Sequence, residues 1–71
     1  MLPPLQQLGN TVRKLRLEFG LSQEALAERC GFDRTYISLV ERGQRNPSFT
    51  NVLKLAGGLE VSLSKLTENI R

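Results

Sequence analysis

Glycine and a small capping residue recur in step along the chain: Gly20 with Ser22, Gly31 with Asp33, then Gly43 with Ser48, and Ser62 further on. Glycine readily takes the left-handed conformation that ends a helix, while Ser and Asp satisfy the free N–H groups that begin the next one. The chain between these marks is therefore confined to short helices with brief connections. No segment shows the sustained period-two alternation of a strand.

The apolar residues agree with these boundaries. Leu5, Leu8, Val12, Leu15 and Phe19 recur at helical spacing, with Arg13, Lys14, Arg16 and Glu18 between them. Pro3 and Pro4 place the start of this first helix, and Gly20 ends it. A second helix is expected from about Gln23 to Cys30, with Leu26, Ala27 and Cys30 on its buried side and Glu24 facing the positive end of the dipole. A third, capped by Asp33, is expected from Arg34 to Arg42. The residues from Gln44 to Pro47 form a polar connection. Ser48 then caps a fourth helix expected to turn Phe49, Val52, Leu53 and Ala56 inward. Gly57 and Gly58 in its last turn imply either fraying or a close approach by a neighbour. Ser62 caps a fifth helix carrying Leu63, Leu66 and Ile70 to the C-terminus. The expected fold class is all-α, a single five-helix domain over residues 1–71.

Composition narrows the chemistry. A chain of 71 residues buries only about 60 % of the surface its unfolded form exposes, so its core is small and self-association would help it. Ten Lys and Arg against seven Asp and Glu leave a net charge of +3, the sign expected of a nucleic-acid binder. The chain has no His, which removes Ser-His and Cys-His nucleophile pairs and His-ligated metals. Its one cysteine, Cys30, can form neither an internal disulfide nor a zinc site and is expected to be a buried core thiol of an intracellular protein. Glu24 and Glu28, four apart on one helix, have the spacing of an acid/base pair, but without a cleft they read as a solvated face. No catalytic residue, metal or cofactor is expected. Nor does the sequence hold an apolar run of about 18 residues or the basic start and apolar stretch of a signal peptide. The expected location is the cytoplasm, without membrane attachment.

The stretch from Ser22 to Arg42 has the spacing of a helix-turn-helix, with Gly31 in the turn. On a wheel of about 100° per residue, Ile37 and Val40 share one side of the third helix, and Arg34, Thr35, Ser38 and Arg42 the other. That polar side offers a guanidinium able to fork onto guanine O6 and N7, and hydroxyls able to pair with base edges or phosphate.

Three ordered motifs carry a family resemblance: Leu21-Ser22-Gln23-Glu24-Ala25-Leu26-Ala27, then Ile37-Ser38-Leu39-Val40-Glu41-Arg42-Gly43, then Asn46-Pro47-Ser48-Phe49. The chain resembles the lambda-repressor-like, or Cro/C1-type, DNA-binding domains from about Val12 to Leu66. The run Asp33-Arg34-Thr35-Tyr36-Ile37-Ser38 is similar to that of the controller proteins of restriction-modification systems.

The resemblance implies a role for each matching residue. Gln23 becomes a phosphate-contacting and orienting residue, which suits a polar side chain at a helix N-terminus. Arg34 and Thr35 fall on base-reading positions, with Ser38 and Leu39 on further groove-facing ones; Leu39 is apolar where polar residues are common and can meet only a thymine methyl or sugar. Tyr36, between the two faces, packs its ring and turns its hydroxyl to the DNA. Arg42, Gln44, Arg45 and Asn46 take phosphate contacts. Arg16 and Glu41 align with an ion pair that ties the first helix to the third.

The function so implied is a sequence-specific transcriptional regulator. Its partners are a double-stranded DNA operator, a second copy of itself in a homodimer, and RNA polymerase. Two-fold symmetry predicts a near-palindromic operator. The dimer surface is expected around Leu63, Leu66 and Ile70 and the region between the fourth and fifth helices, unless these residues only close the monomer core. The resemblance to the controllers implies autoregulation, with control of a neighbouring endonuclease gene. The alternative is an antitoxin-type or other small repressor whose main partner is a protein.

Overall fold

Local capping chemistry sets the helix boundaries. In the computed structural model, which describes residues 2–71, the elements are α1 (Pro4–Phe19), α2 (Gln23–Cys30), α3 (Arg34–Glu41), α4 (Phe49–Gly58) and α5 (Leu63–Thr67), with no strand among the described residues. Met1, the first residue of the expected domain and of the segment read for a leader, lies outside them. Pro4 opens α1, where a missing N–H costs nothing. Gly20 and Gly31 close α1 and α2 with φ of 83° and 77°. The Ser22, Ser48 and Ser62 hydroxyls accept the N–H groups of Ala25, Asn51 and Lys65 at 3.0, 3.2 and 3.0 Å. Each such cap is worth about 1 kcal/mol. Asp33 occupies the expected cap position with extended backbone, but its carboxylate makes no capping bond.

The helices close around a single core. α1 packs on α3 and α5, α2 on α3 and α4, and α4 on α5. Leu8 and Val12, Leu26 and Cys30, Ile37 and Val40, Leu55, Leu59 and Leu66 are buried together. Ala27 is buried among them, as expected of the small residue on α2. Two glycines permit close crossings. A Cβ on Gly9 would stand 2.4 Å from the Val40 carbonyl oxygen, where α1 crosses α3, and one on Gly58 would stand 2.4 Å from Cys30 Sγ. The glycine pair ending α4 is thus a close approach at Gly58, while nothing lies within 4 Å of such an atom on Gly57.

Four expectations are corrected. α3 ends at Glu41, with Arg42 as its C-cap and Gly43, at φ 70°, turning the chain. α5 stops at Thr67, and the Ile70 N–H donates to the Thr67 carbonyl at 3.1 Å. The inward side of α4 holds Leu55 and Ala56 with half-buried Val52, whereas Phe49 and Leu53 are 67 % and 44 % exposed. Positions 52, 55, 56 and 59 form one i, i+3, i+4, i+7 stripe facing α2 and α5, and the stripe read through 49 and 53 lies off it. Phe19, at the end of α1, is exposed beneath the Arg29 guanidinium, whose carbon lies 4.6 Å from the ring centroid.

Candidate nucleic-acid interface

α3 separates its two jobs by face. Ile37 and Val40 are fully buried against α1 and α2, which holds the helix and leaves its other side to solvent. Arg34, Thr35, Ser38 and Arg42 together line a shallow groove of about 240 Å³ on that open side. Arg34, Thr35 and Arg42 are exposed, and Ser38 is half-buried. The Arg42 Nε donates to the Ser38 carbonyl at 3.3 Å, which draws its side chain back along the helix. Four of the sequence-predicted residues are thereby brought into one concave strip of donors.

Tyr36, on the same helix but outside the lining of this groove, is half-buried. Its ring packs on Phe32, centroids 4.6 Å apart and tilted by 46°, and the Arg45 guanidinium carbon lies 5.4 Å from its centroid. Its hydroxyl accepts a hydrogen bond from Asn51 Nδ2 at 3.0 Å. Gln44, Arg45 and Asn46 are exposed in the connection from α3 to α4, held by the Gln44 N–H donating to the Leu39 carbonyl at 2.9 Å. Leu39 itself is half-buried.

Gln23, outside the strip, begins α2 and is half-buried; its Nε2 donates to Glu41 Oε1 at 3.1 Å. A carboxamide has two N–H donors and an acceptor oxygen, so one hydrogen bond to Glu41 does not exhaust its capacity. Glu41 also accepts from Arg16, the expected bridge between α1 and α3. That hydrogen bond raises the Arg16 pKa against the opposing effect of burial. Asn51 was not singled out by the sequence. Its only local signal is a polar residue in the first turn of a helix, which reads as solvated, and its partner lies fifteen positions away on another helix.

Among the described residues no group of His, Cys, Asp or Glu is placed to hold a metal ion. Among the same described residues no helix is long and apolar enough to cross a membrane.

Comparison with known proteins adds to this geometry. The HTH_3 helix-turn-helix family model matches residues 12–66. The control protein C.MunI from a Mycoplasma species is 45 % identical over 65 residues, covering 90 % of this chain and 88 % of that one. Control protein C.BamHI from Bacillus amyloliquefaciens is 44 % identical over 61 residues, covering 84 % and 75 %. Among solved structures, the restriction-modification controller protein C.AhdI from Aeromonas hydrophila superposes with a TM-score of 0.85 at 50 % identity, covering 87 % of this chain and 94 % of that one. The chain therefore belongs to the HTH_3 helix-turn-helix family of lambda-repressor-like DNA-binding regulators, and it is similar to the restriction-modification controller proteins within that family.

Proposed function

We propose that this regulator binds a near-palindromic operator as a homodimer, each subunit laying α3 in the major groove of one half-site. The observation that carries the reading is the exposed strip of Arg34, Thr35, Ser38 and Arg42 on a helix whose opposite side is fully buried. Arg34, Thr35 and Ser38 read base edges, with Tyr36 at the margin. Gln23, Arg42, Gln44, Arg45 and Asn46 hold phosphates and set the register. Two subunits related by a two-fold axis put their half-sites about 34–36 Å apart, one turn of the duplex.

The second copy is needed because one short helix offers few contacts, and joining two weak binding events gains avidity. Leu66 is fully buried and closes the monomer core; Leu63 and Ile70 are half-buried. Phe49 and Leu53, one turn apart on α4, are exposed apolar side chains in the region of the fourth helix, and we assign the subunit contact there. Similarity to controller proteins supports a role in regulating its own gene and a restriction endonuclease gene in the cytoplasm, through RNA polymerase. In this scheme low occupancy activates and a second filled operator represses.

Selection of bound duplexes from a random DNA pool at near-physiological salt, followed by sequencing, tests the core of this reading. Enrichment of a palindrome with half-sites one turn apart is the expected result. No enrichment by folded protein would remove the sequence-specific regulator and favour a protein partner.

A further inference from the structure

The Tyr36 ring is held from several directions. Arg45 lies against it, Phe32 packs beside it, and the Lys54 ammonium stands 5.8 Å from the Phe32 centroid, so two rings are bracketed by two cations. These four residues come from the turn before α3, from α3 itself, from the connection after it and from α4. Ring stacking and cation contacts restrict where the phenol sits but do not decide how its hydroxyl is used.

Asn51 decides that. Its Nδ2 donates to the Tyr36 hydroxyl at 3.0 Å, so the phenolic oxygen acts as acceptor within the protein. A phenol has one hydrogen to donate, and it is not taken up by Asn51. Accepting a bond also polarises a hydroxyl and strengthens it as a donor.

Resting on the DNA-binding reading above, we infer that Asn51 is a positioning residue for recognition: it fixes the Tyr36 hydroxyl between α3 and α4 and reserves its hydrogen for an acceptor on DNA. The Asn51 backbone N–H is separately bonded to the Ser48 hydroxyl, so removing the side-chain amide leaves the α4 cap in place. Rotamer freedom that binding would otherwise remove is already gone in the free protein, which is how preorganisation raises affinity.

A double-mutant cycle tests this on the duplex enriched by selection and on a scrambled duplex. Asn51→Ala and Tyr36→Phe are each expected to weaken binding of the enriched duplex about fivefold to tenfold, and the double variant to bind no more weakly than Tyr36→Phe alone. A loss confined to the enriched duplex identifies a base-edge acceptor, and an equal loss on both identifies a phosphate oxygen; either supports the inference. If Asn51→Ala loses the same factor whether or not the hydroxyl is present, the inference is overturned, because Asn51 then acts independently of Tyr36. Thermal unfolding of each variant separates a structural effect. Should the truncation lower the midpoint, Asn51→Asp keeps the side-chain shape and takes the phenolic hydrogen for itself, and its loss must likewise vanish in the Tyr36→Phe background. Failure of the unaltered protein to bind any enriched duplex would instead sink the DNA-binding reading, and this inference with it.

Discussion

Arg16 and Glu41 form a two-bond ion pair inside the protein, Nε to Oε2 at 2.6 Å and Nη2 to Oε1 at 3.0 Å, with side chains only 9 % and 3 % exposed. Arg16 Nη1 also donates to the Leu21 carbonyl at 2.9 Å, and Gln23 donates to the same carboxylate. One network thus joins α1, the corner before α2, the start of α2 and the end of α3. Desolvating two charges costs several kcal/mol for each, which offsets much of their mutual attraction, so the pair adds little net stability while tying these elements together.

Removing one partner leaves the other charged and buried. Arg16→Ala is expected to lower unfolding free energy by about 3–5 kcal/mol, measured by urea denaturation. Arg16→Met combined with Glu41→Leu should recover much of that loss while loosening the set of α3, read as weaker operator binding. A single variant as stable as the parent would contradict a coupled buried pair.

Two glycine substitutions should move stability in opposite directions. Gly9→Ala drives a Cβ into the backbone of α3 at Val40 and Glu41, and neither carbonyl can rotate away as a flexible side chain would. A loss of about 1–3 kcal/mol is expected from overpacking. Gly57→Ala meets open space inside α4 and should gain about 0.5–1 kcal/mol from helix propensity. Thermal unfolding midpoints read both, and a stabilised Gly9→Ala would refute the backbone crossing.

Burial pushes the Cys30 thiol pKa up from its ordinary 9.0, opposed by the positive charge of Arg29 and a hydrogen bond with the Gly58 backbone. Above the unfolded value the unfolded chain has lost a proton that the native state keeps, so the native state binds more protons and stability falls as pH rises. The contribution is complete below that value and disappears as pH climbs toward the folded pKa. Chemical denaturation between pH 7 and about 10 should show this decline, and Cys30→Ala should flatten it. A decline unchanged in the variant would assign it to other groups.

Base and phosphate contacts respond differently to truncation. Arg34→Ala is expected to cost about 1–3 kcal/mol on the selected operator and to relax preference at one base position. Arg45→Ala should weaken all sequences to a similar extent and reduce the steepness of the salt dependence. Titrations of an operator series at several salt concentrations distinguish them, and a base-specific loss for Arg45→Ala would refute its phosphate role.

The open apolar pair on α4 gives a direct test of assembly. Leu53→Glu introduces a charge beside Phe49 without touching the core, so the fold should persist while the subunits separate. Sedimentation is expected to show a monomer where the parent self-associates, with a matching loss of operator affinity. An unchanged mass would move the subunit contact elsewhere.

The sequence by itself determined where the helices begin and where α1 and α2 end, because caps and stops depend on neighbours within a few residues: Gly20, Gly31, Ser22, Ser48 and Ser62 all act at the expected positions. It also determined the two faces of α3, since helical periodicity separates Ile37 and Val40 from Arg34, Thr35 and Ser38 whatever the helix packs against. The tertiary structure decided which stripe of α4 is covered, putting Leu55 and Ala56 inside and leaving Phe49 and Leu53 open. It decided that Gly9 is a crossing point and that Gln23 and Asn51 spend donors on Glu41 and Tyr36. These outcomes depend on which atoms arrive from distant parts of the chain, and a short-range pattern of residue types carries no information about those arrivals.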